Sequence, residues 1–447
     1  MTNEAFQLRD DASYLKTLAS VSTLKKTGRI RNAFGVSVSA TGVDARIGEI
    51  CDIVDPLSGA AIPAEVVGIA AGETLLSPLA PLDCLSPDAA VIRRAADIDA
   101  PFGDALLGRV IDANGTPLDG LGPLTDLPGR PLYAPPPNPM ARPPIDEAFS
   151  TGVRAVDGPL TLGVGQRIGV FAMAGVGKTT LLAMLAKNSA ADVNVIALIG
   201  ERGREVREFI DDVLGPEGLA RSVIVVATSD RPARERSRAA YAAMAIAEGF
   251  RDAGSHALLL MDSVTRYARA LREIGLSIGE PPVRRGLPPS VFAELPRLFE
   301  RAGRTQTGAI TGVFTVLVED EDGDDPIGEE TRSILDGHIV LSRKLAQAGH
   351  YPAIDIPASI SRLYPRIAEP AHRKDGERLR AMIAKYEEIS FLLQLGDYQE
   401  GADPLADDAV RKRDAVLSFL KQSVSERSAI EETRRALDAL MQAGAVL

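Results

Sequence analysis

The run Ala174-Gly175-Val176-Gly177-Lys178-Thr179-Thr180 holds the residue types that most directly imply chemistry in this chain. An apolar β-type run, Arg167 to Ala172, enters a glycine-rich turn, the turn delivers Lys-Thr, and a helix-forming run follows at once. That order predicts a phosphate-binding loop. Glycine lets successive backbone N–H groups converge on a polyphosphate, because a Cβ would obstruct the tight turn and the close approach. In such a loop Lys178 reaches the β- and γ-phosphates, the Thr179 hydroxyl ligates Mg²⁺, and the dipole of the following helix adds favourable potential. The plainer reading is a glycine-rich strand-to-helix turn with no ligand. The pattern also departs from the usual one at Ala172, where glycine is expected; alanine serves if its φ is negative.

Three further stretches could complete such a site. Asp262 ends the apolar run Leu258 to Met261. A carboxylate at the C-terminal end of a buried strand beside a phosphate loop holds Mg²⁺. Glu201, in Ile199-Gly200-Glu201-Arg202-Gly203-Arg204-Glu205, also follows an apolar strand-like run and could polarise the water that attacks a γ-phosphate. A solvated charge cluster at a helix start is the simpler alternative there. Nothing local singles out Arg362 or Tyr351, which flank Pro352-Ala353-Ile354-Asp355-Ile356-Pro357-Ala358-Ser359-Ile360-Ser361.

These residues need elements to position them. Apolar runs at 193–199, 223–227, 257–261, 309–318 and 338–341 alternate with helix-forming stretches, which predicts a parallel sheet covered on both faces. Before them, Gly35–Ala40, Ile47–Val54 and Ala64–Ile69 are short β-type runs between turns, as in a small barrel or sandwich. Residues 103–145, with prolines at 135, 136, 137 and 139, suit an extended connector. From about Asp375 onward the pattern is helical, with Leu379, Met382, Ile383, Tyr386 and Ile389 at helical spacing and a break near Gly401–Pro404. Asp10–Ser20 suits a short helix or an arm.

Composition narrows the partners. The net charge of −11 argues against a general nucleic-acid binder, which presents a dominant basic face. Cys51 and Cys84 are too few for a disulfide framework or a cysteine zinc site and read as core residues. The four histidines lack metal-ligand spacing. The N-terminus carries no signal-peptide core and no apolar run approaches the roughly 20 residues needed to span a bilayer, so a cytosolic protein is expected.

With the loop, Gly200-Glu201-Arg202, Asp262-Ser263-Val264-Thr265-Arg266 and Ser361-Arg362 in this order, the chain resembles the hexameric ATPases that include the rotary ATP synthase subunits, the flagellar export ATPase and the type III secretion ATPase. The resemblance runs from about Gly28 to Arg366. Ala172, Gly279-Glu280-Pro281-Pro282, Pro288-Pro289-Ser290-Val291-Phe292 and Asp336-Gly337-His338-Ile339-Val340-Leu341 look like the export branch, with the injectisome enzyme favoured over the flagellar one.

The resemblance implies an N-terminal arm over 1–26, a β-barrel over 27–95, a RecA-like α/β domain over 96–370 and a helical domain over 371–447, assembled as a ring of six. It implies ATP and Mg²⁺ at each subunit interface, bound by 174–180, with Thr179 and Asp262 holding the metal and Glu201 and Lys178 catalytic. Arg362 matches the arginine finger that reaches a neighbour's γ-phosphate, Tyr351 the residue that stacks on adenine, and Arg202 the arginine that follows the catalytic glutamate. It further implies a central stalk, a stator, chaperone-bound substrates and an export gate as partners, at the cytoplasmic face of the inner membrane, with no nucleic acid. A rotary synthase subunit and an RNA-translocating ring are the alternatives; the former is disfavoured by the short region after Arg373 and the latter by acidity and low aromatic content.

Overall fold

The computed structural model describes residues 26–34, 36–82, 85–94, 99–318 and 325–442. The expected arm or helix near the N-terminus, and Cys84, fall outside these residues. The chain divides into two compact units, Met1–Asp97 and Ile98–Leu447.

In the first unit, β1 (Thr27–Phe34), β2 (Ser37–Thr41), β3 (Ile50–Val54), β4 (Ala61–Ala70), β5 (Glu73–Pro78) and β6 (Ala90–Arg93) close a barrel in the order β1-β2-β5-β4-β3-β6. Closure removes the unpaired edges an open sheet would leave. Val38, Ala40, Cys51, Ile53, Ala64, Val66, Leu76 and Val91 fill its interior. Burial pushes the Cys51 thiol up to about 11, so it packs as a small apolar residue instead of reacting as a thiolate.

The second unit is built on a nine-stranded sheet. Its main path uses β7 (Val110–Asp112), β8 (Arg167–Ala172), β9 (Val193–Ile199), β10 (Ser222–Ala227), β11 (His256–Asp262), β12 (Ala309–Leu317), β13 (Gly337–Leu341) and β14 (Ile354–Ser361), in the order β14-β13-β8-β12-β11-β9-β10-β7. All neighbours on this path are parallel except β13 and β14. Gly303–Arg304 adds a short antiparallel piece beside β12.

Side-chain alternation along the central strands separates two cores. Val193, Val195, Ala197 and Ile199 of β9 enter one, with helices α3 (Ala233–Asp252), α4 (Val264–Ser277) and α5 (Pro289–Phe299). Ile196 and Leu198 enter the other, with α1 (Lys178–Asn188). A period of two with both phases apolar is the signature of a doubly covered sheet, as the sequence predicts. Between these helices, α2 (Gly203–Glu208) follows β9, and α6 (Pro326–Ile334) precedes β13.

The tail is helical as expected: α7 (Pro370–Leu395), α8 (Pro404–Arg411), α9 (Arg413–Leu420) and α10 (Ile430–Gln442). Leu379, Met382, Leu437 and Met441 share the α1 core. One correction concerns the connector over 103–145. Val110–Asp112 joins the sheet as its edge strand beside β10, and Asp119 pins Arg109 there through hydrogen bonds of 2.7 and 3.0 Å. A three-residue strand is too short to show periodicity, so composition alone reads it as linker.

Candidate active site

Every residue in the loop and the acidic pair sits where a parallel strand of the sheet ends. Ala172 closes β8, is buried and keeps a negative φ, which is why alanine serves where glycine is usual. Gly175 and Gly177 take φ of +79° and +92°, values at which a side chain is strained. Val176 is buried in the α1 core and anchors the turn, while Ala174 and Gly175 are exposed. Lys178 then opens α1, with Thr179 exposed and Thr180 half-buried in its first turn.

β8 and β9 are not neighbours, because β12 and β11 lie between them. The long lysine bridges that gap. Lys178 Nζ makes an ion pair with Asp262 Oδ1 at the end of β11 and stands 3.7 Å from Glu201 Oε1, just past β9. Arg266 Nε, on α4, approaches the same glutamate oxygen at 3.3 Å. Glu201 Oε1 is buried and has no hydrogen-bond partner of good geometry among the described residues. Burial foremost, and the Asp262 charge, raise the Glu201 carboxyl above its ordinary range against the pull of Lys178 and Arg266. Asp262 is 4% exposed, and Thr315 Oγ1 donates to its Oδ1 at 2.8 Å.

Thr179, Glu201 and Asp262 line one cavity of about 260 Å³ together with Glu205, Val206 and Phe209. The oxygens offered there are hydroxyl and carboxylate, the hard donors that suit Mg²⁺. No cluster of three or more His, Cys, Asp or Glu among the described residues could hold a metal alone. That donor set fits Mg²⁺ bound through one or two protein oxygens plus substrate phosphates.

Tyr351 lies against the loop: a Cβ added to Gly177 would stand 3.1 Å from its ring atom Cε1. Two sequence-predicted residues stand apart from the group formed by the loop, the acidic pair and Tyr351. Arg202 caps the start of α2 and turns its exposed guanidinium to Glu205 at 3.3 Å. Arg362 lies at the far end of the sheet. β14 pairs Ile354 with Leu341 and Ser361 with Gly337, while β13 runs parallel to β8 with His338 beside Gly169 and Val340 beside Phe171. Tyr351 therefore precedes β14 at the loop end, and Arg362 follows it at the opposite end, separated by the length of β13, about 13 Å of strand. There Arg362 is exposed, its N–H donates to Asp336 O at 2.9 Å, and Nη2 donates to Arg332 O at 3.1 Å.

Arg266 and Thr315 carry no signal of their own in the sequence; only the register of β11 against β12 brings Thr315 to Asp262. The one usable hint was Arg266 inside the Asp-Ser-Val-Thr-Arg motif.

Residues 152–361 match the ATP synthase alpha/beta family, nucleotide-binding domain, and residues 368–439 match the T3SS EscN ATPase C-terminal domain. The chain is 50% identical over 418 residues to a type 3 secretion system ATPase of Xanthomonas euvesicatoria, covering 94% of this chain and 95% of that one. It is 45% identical to the flagellum-specific ATP synthase of Bacillus subtilis, covering 96% and 98%. The assembled ATPase EscN of the enteropathogenic E. coli type III secretion system superposes with a TM-score of 0.87 at 46% identity, over 92% of this chain and 99% of EscN. The same protein solved in complex with its central stalk EscO gives 0.85 at the same identity and coverage. The fold, the position of the loop on it and these likenesses agree, and the chain belongs to the ATP synthase alpha/beta family, among the type 3 secretion system ATPases and flagellum-specific ATP synthases.

Proposed function

We propose that this chain hydrolyses ATP with Mg²⁺ at sites shared between neighbouring copies in a ring of six, and that the ring serves type III protein secretion. The observation that carries the reading is the convergence of Lys178, Glu201 and Asp262 from three different strand ends behind one glycine-rich turn. In the reading, N–H groups of 174–177 cradle the phosphates and Tyr351 stacks on adenine. Lys178 exchanges its pairing with Asp262 for the β- and γ-phosphates, which a flexible ammonium can do. Thr179 and Asp262 would hold Mg²⁺, which when bound would offset the negative charge of the phosphates. Once Lys178 has turned away, Glu201 accepts a hydrogen bond from the attacking water and orients it in line with the leaving group.

Arg362 of a neighbouring copy supplies the transition-state cation. Its place at the sheet end remote from its own loop supports action on another subunit's nucleotide rather than its own. Arg202 acts from the rim, ordering the start of α2 through Glu205. The complex of EscN with its central stalk supports a stalk protein as partner here, and the resemblance supports a stator, chaperone-bound substrates released or unfolded by the ring, and an export gate. None of the described helices is long and apolar enough to cross a membrane. The resemblance supports attachment to the cytoplasmic face of the inner membrane through those partners. The flagellar export apparatus is the second reading, supported by the 45% identity to a flagellum-specific relative.

Phosphate release by the purified chain tests the proposal. Mg²⁺-dependent ATP turnover that vanishes in Lys178→Ala is expected. Wild-type turnover by that variant would refute the site.

A further inference from the structure

We propose that Thr315 is the positioning residue for Asp262: its buried hydroxyl holds the carboxylate in the rotamer that receives Mg²⁺ throughout the nucleotide cycle. The inference rests on the reading of Asp262 as the metal-holding acid.

Thr315 is fully buried two residues before the end of the apolar strand β12, between Phe314 and Val316. A hydroxyl in that setting costs stability unless it is hydrogen-bonded. Two acceptors are within reach, Met261 O at 3.2 Å and Asp262 Oδ1 at 2.8 Å. Thr315 has one proton to give, and the charged acceptor at the shorter distance takes it. The only other donor to Asp262 among the described residues is Lys178, on the same oxygen. Lys178 cannot stay there while it serves phosphate. As the ammonium leaves, Thr315 becomes the donor that keeps Oδ1 occupied and fixes the plane of the carboxyl group.

The backbone around Asp262 is secured from the same strand. Thr265 Oγ1, three residues past Asp262, accepts from Leu317 N at 2.9 Å. Thr315 and Leu317 are two apart on β12, so one strand grips both the carboxylate and the turn that carries it. A hydrogen-bond donor behind a metal-binding carboxylate raises metal affinity by fixing its orientation, and removing such partners costs about 10- to 100-fold.

The test measures binding of a fluorescent ADP analogue, titrated with Mg²⁺ and separately in EDTA, for wild type, Thr315→Val, Thr315→Ser and Asp262→Asn. Thr315→Val should raise the Mg²⁺ midpoint by about tenfold and leave the EDTA affinity unchanged, while Thr315→Ser stays close to wild type. Should the valine variant fail to fold, Thr315→Ala carries the same comparison. An unshifted midpoint in the variant without the hydroxyl overturns the proposal, and so does an equal loss of affinity in EDTA, which marks collapse of the site. If Asp262→Asn moves the midpoint and Thr315→Val does not, only this inference fails. If Asp262→Asn keeps the wild-type midpoint, the reading of Asp262 fails with it.

Discussion

Lys178 Nζ and Glu201 Oε1 stand 3.7 Å apart although their strands are separated by two others in the sheet. If Glu201 is the base, as proposed, it is pre-paired with the cation that must leave it. Glu201→Gln keeps the shape and removes the charge. We expect nucleotide affinity close to wild type and a fall in kcat of about 10²- to 10⁴-fold. Parallel measurement of equilibrium binding and phosphate release checks this; a loss confined to binding would show Glu201 to be a structural acid.

Arg362→Ala and Lys178→Ala should each be inactive as pure rings, since a finger contributes on the order of 10³ to 10⁵ in rate. Mixed in equal amounts, they should recover activity, because about a quarter of the interfaces then join an intact Lys178 to an intact Arg362. Phosphate release by the mixture no greater than by the separate variants would remove Arg362 from the neighbour's site.

Tyr351 is part-exposed against Gly177, so its ring is available to a flat ligand. Tyr351→Ala should weaken ATP binding by roughly 1 kcal/mol, about five- to tenfold, whereas Tyr351→Phe should bind as wild type. Titration with a nucleotide that lacks the purine face should show no difference between the two variants. A Phe variant as weak as the Ala one would point to the hydroxyl instead.

His256 makes stability depend on pH. Its ring is packed edge-on against Phe149 and bonded to Thr311 Oγ1 at 2.7 Å. Burial foremost, with Arg304 opposing Asp192, lowers it from 6.5 to about 4. Between those values the unfolded chain takes up a proton that the folded chain refuses. Stability from this group is complete above pH 6.5 and is lost as pH falls toward 4, on the order of 3 kcal/mol in all. Urea unfolding at pH 7.5 and pH 5 should show a smaller acid loss in His256→Gln than in wild type.

The cavity acids were legible because they close apolar runs. Asp262 and Glu201 each follow a stretch long enough to be read as a buried strand, and the end of a parallel strand is where a ligand is expected. Thr315 was not legible, since what matters is its register against Met261 and Asp262, a relation between strands that no one-dimensional pattern holds. Val110–Asp112 was lost for brevity and Thr27–Phe34 for its mostly exposed, polar residues. Arg362 is a different case: it is exposed, and among the described residues its side chain bonds only to a backbone carbonyl, so resemblance alone drew attention to it.

Under the proposed reading, the opposed placement of Tyr351 and Arg362 gives the sheet-bearing unit two unlike working surfaces, one that receives a guanidinium and one that offers it. Contacts made by joining such surfaces are head-to-tail. They cannot be satisfied in a symmetric pair, where each partner would have to offer and receive on the same patch. They either close on themselves or run on without end. Closure is thus a condition of full occupancy: every site in a closed set has its guanidinium, whereas an open string of copies always leaves one site without one.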